Sequence, residues 1–371
     1  MKSIVKTFVL AALSAWMLAG CSANGSAPAA PAQGSNAAAS SAASVPANSA
    51  ASGSTAAPGT SVPAAAPDKG AASSAAAQAN TAKKLKVVAT FYPMVEFSKQ
   101  VAGDRAEVIG LIPAGAEPHD WEPSAKDMVQ LKEADVFVYN GIVEGWAEKA
   151  LQSAANDKRL AVEASKGLDL IEGSEDEDED EDHDHKADHN HEAGHDHALD
   201  PHVWLDPALA QKEVAAIQAA FEKADPAGKD EYKKNAEAYI AKLKDLDAAF
   251  KKDLSGVKHK EFVTQHAAFG YLAKNYGLTQ VPIAGLSPEQ EPSPDKMAGI
   301  VKFAKEKQVK TIFFETLVDP KIAQTIAKEI GAKTAVLNPL EGLTDEDKKN
   351  NLDYIGIMKN NLEALKKALN E

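Results

Sequence analysis

Residues 85–102 read LKVVATFYPMVEFSKQVA, a short apolar run that passes directly into a helical pattern. The run up to Tyr92 is rich in β-branched and aromatic residues, and the helical pattern begins at Met94. A strand followed at once by a helix is typical of parallel sheets, because neighbouring parallel strands need a crossover connection. The folded region is therefore predicted to begin as an α/β structure.

The same alternation of apolar runs and helical patterns recurs along the chain in two groups. The further predicted strands are 106–112, 136–140, 159–162, 262–265, 280–283, 311–314 and 334–337. Two long helical patterns, 207–225 and 229–254, separate the groups. We predict an α/β fold of two βα lobes with mainly parallel sheets joined by a long backbone helix, with the lobes at 83–225 and 257–371 and the helix at 226–256.

The chain carries Lys2 and Lys6 ahead of a short apolar run, which is the layout of an export signal. The run is too short to span a membrane, and residues 1–20 are predicted to be a signal peptide that is removed. Cys21, the only cysteine, resembles the lipidation site of bacterial lipoproteins. Residues 21–82 are mostly Ala, Ser, Pro and Gly, so we expect a disordered tether to the membrane.

Three histidines stand in separate polar and aromatic blocks. The blocks are EPHDWEPS at 117–124, DPHVWLDP at 200–207 and TQHAAFGY at 264–271, which contain His119, His202 and His266. Each block lies where a β-type run ends and a helical pattern begins, so an α/β fold can bring the three imidazoles to the carboxyl edge of its sheets. Three neutral imidazoles and one carboxylate complete a tetrahedral zinc shell. The blocks therefore predict one metal site.

The pattern leaves the fourth ligand open between two carboxylates of the second lobe. Glu315 follows the apolar run at 311–314, and Glu341 follows VLNPL at 336–340. Glu117 is a third candidate, but Pro118 stiffens the intervening backbone and places Glu117 badly for coordination beside the neighbouring histidine.

Acidic residues near the histidines are candidates for orienting the imidazoles. These residues are Asp120, Asp200 and Asp206. Asp206 is equally suited to cap a helix that starts at Pro207.

Together these blocks resemble those of the metal-binding receptors of ABC transporters, in the branch that serves high-affinity zinc uptake. The resemblance spans the folded region and implies two βα lobes, joined by a long backbone helix, with the metal held between them. The resemblance implies four ligands, which are His119, His202, His266 and Glu341, the last residue of the motif Leu-Asn-Pro-Leu-Glu. It also implies a structural or supporting role for Glu315. Related manganese receptors carry Glu at the third histidine, so His266 favours zinc.

Residues 175–200 hold thirteen acidic residues, one lysine and six histidines, and account for -12 of the formal net charge of -14. Such a run is usually only solvated, but dense alternation of His and Asp supplies weak, exchangeable metal sites. We therefore predict a secondary, low-affinity site in the loop 174–198, formed by His183, His185, His189, His191, His195 and His197. The HEAGH sequence at 191–195 matches a zinc-protease motif by accident, because Gly194 and the lack of an apolar face argue against a stable helix.

The resemblance implies an extracytoplasmic receptor that captures Zn²⁺ and delivers it to a membrane permease driven by a cytoplasmic ATPase. We expect a monomer without enzymatic activity, attached to the membrane through its lipid anchor. The acidic balance argues against a nucleic-acid partner. An adhesin or surface-interaction lipoprotein and a metallohydrolase are the alternatives from other classes, and a manganese receptor is the alternative within the family.

Overall fold

The computed structural model of the protein describes residues 84–173 and 198–371. The predicted signal peptide, Cys21, the tether and the six histidines of the acidic loop lie outside these residues. In the described part, eight strands form two four-stranded sheets, and every strand pair is parallel.

The N-terminal lobe is built on a sheet with the strand order β2-β1-β3-β4. Its strands are β1 Leu85–Ala89, β2 Ala106–Gly110, β3 Val136–Tyr139 and β4 Leu160–Glu163. Its helices are α1 Tyr92–Ala102, α2 Ala125–Glu133 and α3 Ala147–Ser153. The connections reverse direction between β1 and β3, and crevices outside the carboxyl ends of parallel strands form at such a switch point.

The C-terminal lobe repeats this topology in the order β6-β5-β7-β8. Its strands are β5 Glu261–Thr264, β6 Thr279–Pro282, β7 Thr311–Phe314 and β8 Lys333–Val336. Its helices are α6 Gly270–Tyr276, α7 Pro294–Glu306, α8 Lys321–Ile330, α9 Asp345–Lys349 and α10 Tyr354–Ala368. The switch point of this lobe therefore lies between β5 and β7.

Two long helices lie between the lobes in sequence, α4 Pro207–Ala224 and α5 Lys229–Leu254. Helix α4 begins as its sequence predicts, with the Asp206 side chain accepting the Ala208 N–H and Pro207 in the first turn. Helix α5 packs against α1, α4 and α10. The largest apolar cluster runs through this helical layer and reaches both sheets. The backbone helix is thus part of the core and not an exposed linker.

The predicted fold class is confirmed, and each of the eight predicted strands is present within a few residues of its predicted range. Helix α1 starts at Tyr92, before the predicted Met94, because Pro93 suits the first turn of a helix. Helix α6 starts only at Gly270, near the end of the TQHAAFGY block, and the Ala267 N–H before it donates to the Gly285 carbonyl. No helix of the described ranges is long and apolar enough to cross a membrane.

Candidate metal centre

Four potential metal ligands converge in the described part of the chain: His119, His202, His266 and Glu341. His119 lies between β2 and α2, and His202 directly precedes a short 3-10 turn that leads into α4. His266 follows β5, and Glu341 follows β8. The site thus draws on loops at the carboxyl ends of strands in both sheets for His119, His266 and Glu341. The β-type run expected before His202 is not a strand: among the described residues between β4 and this turn, Leu199 makes only an isolated bridge to Glu172.

The spacing of the four donor atoms fits a tetrahedral ion. The Glu341 Oε1 lies 3.2 Å from Nε2 of His119 and 3.4 Å from Nε2 of both His202 and His266. The Nε2 atoms of His202 and His266 are 3.2 Å apart. Donor atoms held at about 2.0–2.1 Å from a tetrahedral zinc ion lie about 3.3 Å from one another. These four separations match four of the six edges of a zinc coordination tetrahedron, and all four donor atoms lie within 4.8 Å of one another.

His202 is completely buried, and Asp200 fixes its orientation. One carboxylate oxygen of Asp200 accepts the backbone N–H of His202 at 2.9 Å and lies 2.8 Å from its ring Nδ1. A proton on Nδ1 leaves Nε2 with its lone pair free for a metal. Tyr271 holds the Asp200 segment in turn, because its hydroxyl donates to the Asp200 carbonyl.

His266 is held in the same way by Glu315. A Glu315 carboxylate oxygen accepts the His266 backbone N–H at 3.0 Å and lies 2.5 Å from its Nδ1. Glu315 therefore faces the side of the imidazole that points away from the donor cluster. Of the two carboxylates that the sequence pattern leaves open, Glu341 joins the cluster and Glu315 supports it from behind.

Glu341 points into the cluster because the preceding turn is unusual. Leu340 has a φ of 60°, in the left-handed region that branched side chains rarely adopt. The Asn338 side chain accepts the Leu340 N–H at 2.7 Å. The side chain of Asn361 in α10 accepts the Asn338 backbone N–H and donates to the Asn338 carbonyl. These buried hydrogen bonds hold the strained turn in place.

His119 is the most exposed of the four potential ligands, with 11% of its side-chain surface accessible. Its backbone N–H donates to both carboxylate oxygens of Glu117. The sequence pattern gives Glu117 no favourable place as a ligand, and the structure directs its carboxylate to the backbone. Of the remaining acidic neighbours, Asp206 caps α4 and Asp120 is exposed.

The electrostatics of the cluster suit a cation. Burial alone would lower the pKa of His266, but the carboxylates of Glu315 and Glu341 raise it to about 10. Burial also opposes the charged form of His202, yet hydrogen bonds to Asp200 and Glu341 raise its pKa. Burial would raise the pKa of Glu341, but His266 and the other imidazoles hold it well below its usual range. A divalent cation can replace the imidazole protons opposite this carboxylate.

Comparison with known proteins gives one matching family, described as "Zinc-uptake complex component A periplasmic", over residues 87–368. The chain is 54% identical over 287 residues to the high-affinity zinc uptake system protein ZnuA of Bacillus subtilis, covering 77% of this chain and 88% of that protein. It is 47% identical over 289 residues to the zinc-binding lipoprotein AdcA of Streptococcus pneumoniae, and it spans 56% of the length of AdcA.

The solved structures agree with these sequence relatives. The Zn(II)-bound ZnuA-like domain of Streptococcus pneumoniae AdcA is 44% identical, with a TM-score of 0.65, and the match covers 78% of this chain and all of that one. The laminin-binding protein Lmb of Streptococcus agalactiae, described as bifunctional with adhesin and metal-transporting activity, is 38% identical. Its TM-score is 0.66, and the match covers 77% of this chain and 99% of that one.

Proposed function

Because this chain belongs to the family of periplasmic zinc-uptake complex component A proteins, we propose that it holds one Zn²⁺ through His119, His202, His266 and Glu341. The chain is an extracytoplasmic zinc-binding receptor of a zinc-uptake system, as its relatives are. In this proposal the four ligands carry the ion as cargo, and they pass it to a membrane permease powered by a cytoplasmic ATPase.

The observation that carries the proposal is the near-tetrahedral spacing of the donor atoms. Four separations of 3.2–3.4 Å among three imidazole nitrogens and one carboxylate oxygen match a zinc shell. The three imidazoles are softer donors than the carboxylates that manganese favours. The donor set therefore supports zinc over manganese as the cargo.

The same geometry favours a carrier over an enzyme. A catalytic zinc site keeps one position for water, whereas a site with four protein ligands is closed. Three of the four proposed ligands are buried, which leaves little room for a substrate beside the ion. We therefore propose that the protein performs no chemistry on its cargo.

Anchoring and assembly are further parts of the proposal. The relative AdcA is named a lipoprotein, and this supports lipidation of Cys21, which would tether a monomeric receptor to the membrane. The histidines of the acidic loop would gather zinc at low affinity near the site, and their number fits a collecting role better than a single tight site.

A zinc titration of the metal-stripped mature protein tests the proposal. The comparison uses the wild-type chain, His266→Ala, and a chain in which the six loop histidines are replaced by alanine. We expect one tight site that survives in the loop variant and is lost in His266→Ala. Tight binding that follows the loop histidines and ignores His266 would refute the proposed site.

A second function, adhesion, is favoured by the 38% identity to Lmb. Adhesion would use the outer surface, so it should not depend on the buried ligands. Binding of the full chain to immobilised laminin, unchanged in His266→Ala, would support this function. Absence of laminin binding by the wild-type chain would argue against an adhesion function.

A further inference from the structure

The three imidazoles of the metal centre are held in two different ways. Asp200 and Glu315 each bond both the backbone N–H and the ring Nδ1 of their histidine. His119 has a carboxylate on its backbone N–H, but within the described residues no hydrogen bond reaches its Nδ1. The orientation of this ring therefore depends on how firmly its backbone is held.

The Glu117 side chain is the main restraint on that backbone. Its two oxygens lie 3.1 and 3.0 Å from the His119 nitrogen, and one of them lies 3.3 Å from the Asp120 nitrogen. Pro118 between them has no N–H and a fixed φ, so the carboxylate closes a small, stiff ring of backbone. The neighbouring backbone bonds of this loop, from Ala116 to Pro113 and from Trp121 to Pro118, are local.

An aromatic contact fixes the other end of the same loop. Trp121 meets Trp146 edge-on, with ring centroids 5.3 Å apart. Trp146 belongs to the buried cluster around β3 and α3. The His119 backbone thus lies between a packed tryptophan on one side and the Glu117 carboxylate on the other.

We propose that Glu117 is a positioning residue for His119. Its carboxylate keeps the His119 Nε2 directed toward the ion and thereby slows zinc release. The inference rests on the proposed function, because it concerns the same site. Glu117 acts in it through hydrogen bonds to the backbone and not as a ligand. Loss of these bonds would let the ring swing away while His202, His266 and Glu341 keep their places.

One competing explanation is that Glu117 acts by its charge. Its carboxylate is partly buried and close enough to Glu341 for the two charges to interact. A charge effect would reach the ion directly, whether or not His119 is present. A neutral isostere and a background without His119 separate the two explanations.

The experiment measures the rate at which zinc leaves the full-length protein after mixing with excess chelator. The variants are Glu117→Ala, Glu117→Gln, His119→Ala and the double variant Glu117→Ala/His119→Ala. We expect Glu117→Ala to release zinc about tenfold faster, the lower end of the range for lost supporting groups. Glu117→Gln keeps an amide oxygen that accepts an N–H, so it should recover most of the slow release.

The double variant gives the decisive comparison. If Glu117 acts through His119, then adding Glu117→Ala to His119→Ala should not change the release rate further. Glu122→Ala is the matched control, because Glu122 is an exposed glutamate in the same loop, and its release rate should equal that of the wild type. Melting of the metal-free variants shows whether each one folds.

Two results would overturn the inference. An unchanged rate of zinc release from a folded Glu117→Ala variant would show that the hydrogen bonds to the Glu117 carboxylate do not affect release. Equal acceleration by Glu117→Gln and Glu117→Ala that persists without His119 would assign the effect to charge. Failure of the proposed function is distinguishable, because the wild-type chain would then show no tight zinc site that depends on His266.

Discussion

The indole N–H of Trp204 donates to the Pro339 carbonyl at 2.8 Å, and this bond joins the segment that carries His202 to the turn that carries Glu341. Trp204 is completely buried, its ring packs edge-on against Phe91 at 4.9 Å, and its own carbonyl accepts the Tyr354 hydroxyl. One side chain therefore fixes the relative positions of two proposed ligands from different lobes.

Replacing Trp204 with Phe should lower both stability and zinc affinity. The change leaves the buried Pro339 carbonyl without its donor, which costs about 1–3 kcal/mol. Denaturant unfolding of the metal-free protein and a zinc competition titration measure the two effects. Trp146→Phe is the matched control, because the Trp146 indole N–H has no partner among the described residues. Equal losses of stability in the two variants would contradict the role given to the Trp204 bond.

Glu315→Gln should weaken zinc binding without unfolding the protein. The Glu315 carboxylate accepts the Nδ1 proton of His266 and makes the imidazole a better donor, whereas a neutral amide does so less effectively. We expect a loss of affinity of about tenfold or more, measured by competition with a chelator of known affinity. Glu122→Gln, at an exposed position of another loop, serves as the control. An unchanged affinity in Glu315→Gln would show that the contact only packs the ring.

The strands and the histidines follow from the sequence because each depends on local patterns. The polar blocks identify His119, His202 and His266 as partners in one cluster, and the fold brings them together. The strand-end argument holds best for His266, which directly follows β5, whereas His119 lies in the longer loop after β2 and His202 precedes a 3-10 turn. The choice between Glu315 and Glu341 does not follow from the pattern, since both residues follow strands of one sheet. It depends on the left-handed backbone at Leu340, which is held by a local bond to the Asn338 side chain and by tertiary bonds from Asn361 of α10 to the Asn338 backbone.

The hydrogen bond from the His119 backbone N–H to the Glu117 carboxylate also cannot be predicted from a sequence pattern. In the sequence, Pro118 indicates that Glu117 is a poor ligand. The stiffness of Pro118 is also the one sequence feature that points to the bond between Glu117 and the His119 backbone. The turn that brings the carboxylate back to the next N–H depends on the loop conformation. Sequence analysis thus identifies ligand types more readily than the groups that orient them.

Glu213 of α4 is expected to make the protein less stable as the pH rises. It is fully buried, and neither carboxylate oxygen has a partner among the described residues. Burial, and then the nearby Glu144 of the β3–α3 connection, raise the pKa of Glu213 to about 8. Tyr354 of α10 also lies close enough to interact with its charge.

The sign of the effect follows from proton linkage. Between the ordinary glutamate pKa and about 8, the unfolded chain has lost this proton while the folded chain still binds it. Stability contributed by this group should therefore fall across that window, by at most about 1.4 kcal/mol per pH unit. Glu213→Gln removes this dependence, so the stability of the variant relative to the wild type should be greater at pH 8 than at pH 5. The control Glu237→Gln, at an exposed position, should follow the wild type. Parallel stability curves for wild type and Glu213→Gln would contradict the raised pKa.

Zinc itself should stabilise the fold, because its proposed ligands come from both lobes and the unfolded chain cannot present them together. Free zinc at a hundred times its dissociation constant stabilises a one-site protein by about 2.7 kcal/mol. We expect the melting temperature to rise with zinc and to fall back when a chelator is added, as measured by calorimetry. In His266→Ala the zinc-dependent rise should vanish, while a variant with the loop histidines replaced should keep it. A rise that survives in His266→Ala and disappears with the loop histidines would place the stabilising ion outside the proposed metal centre.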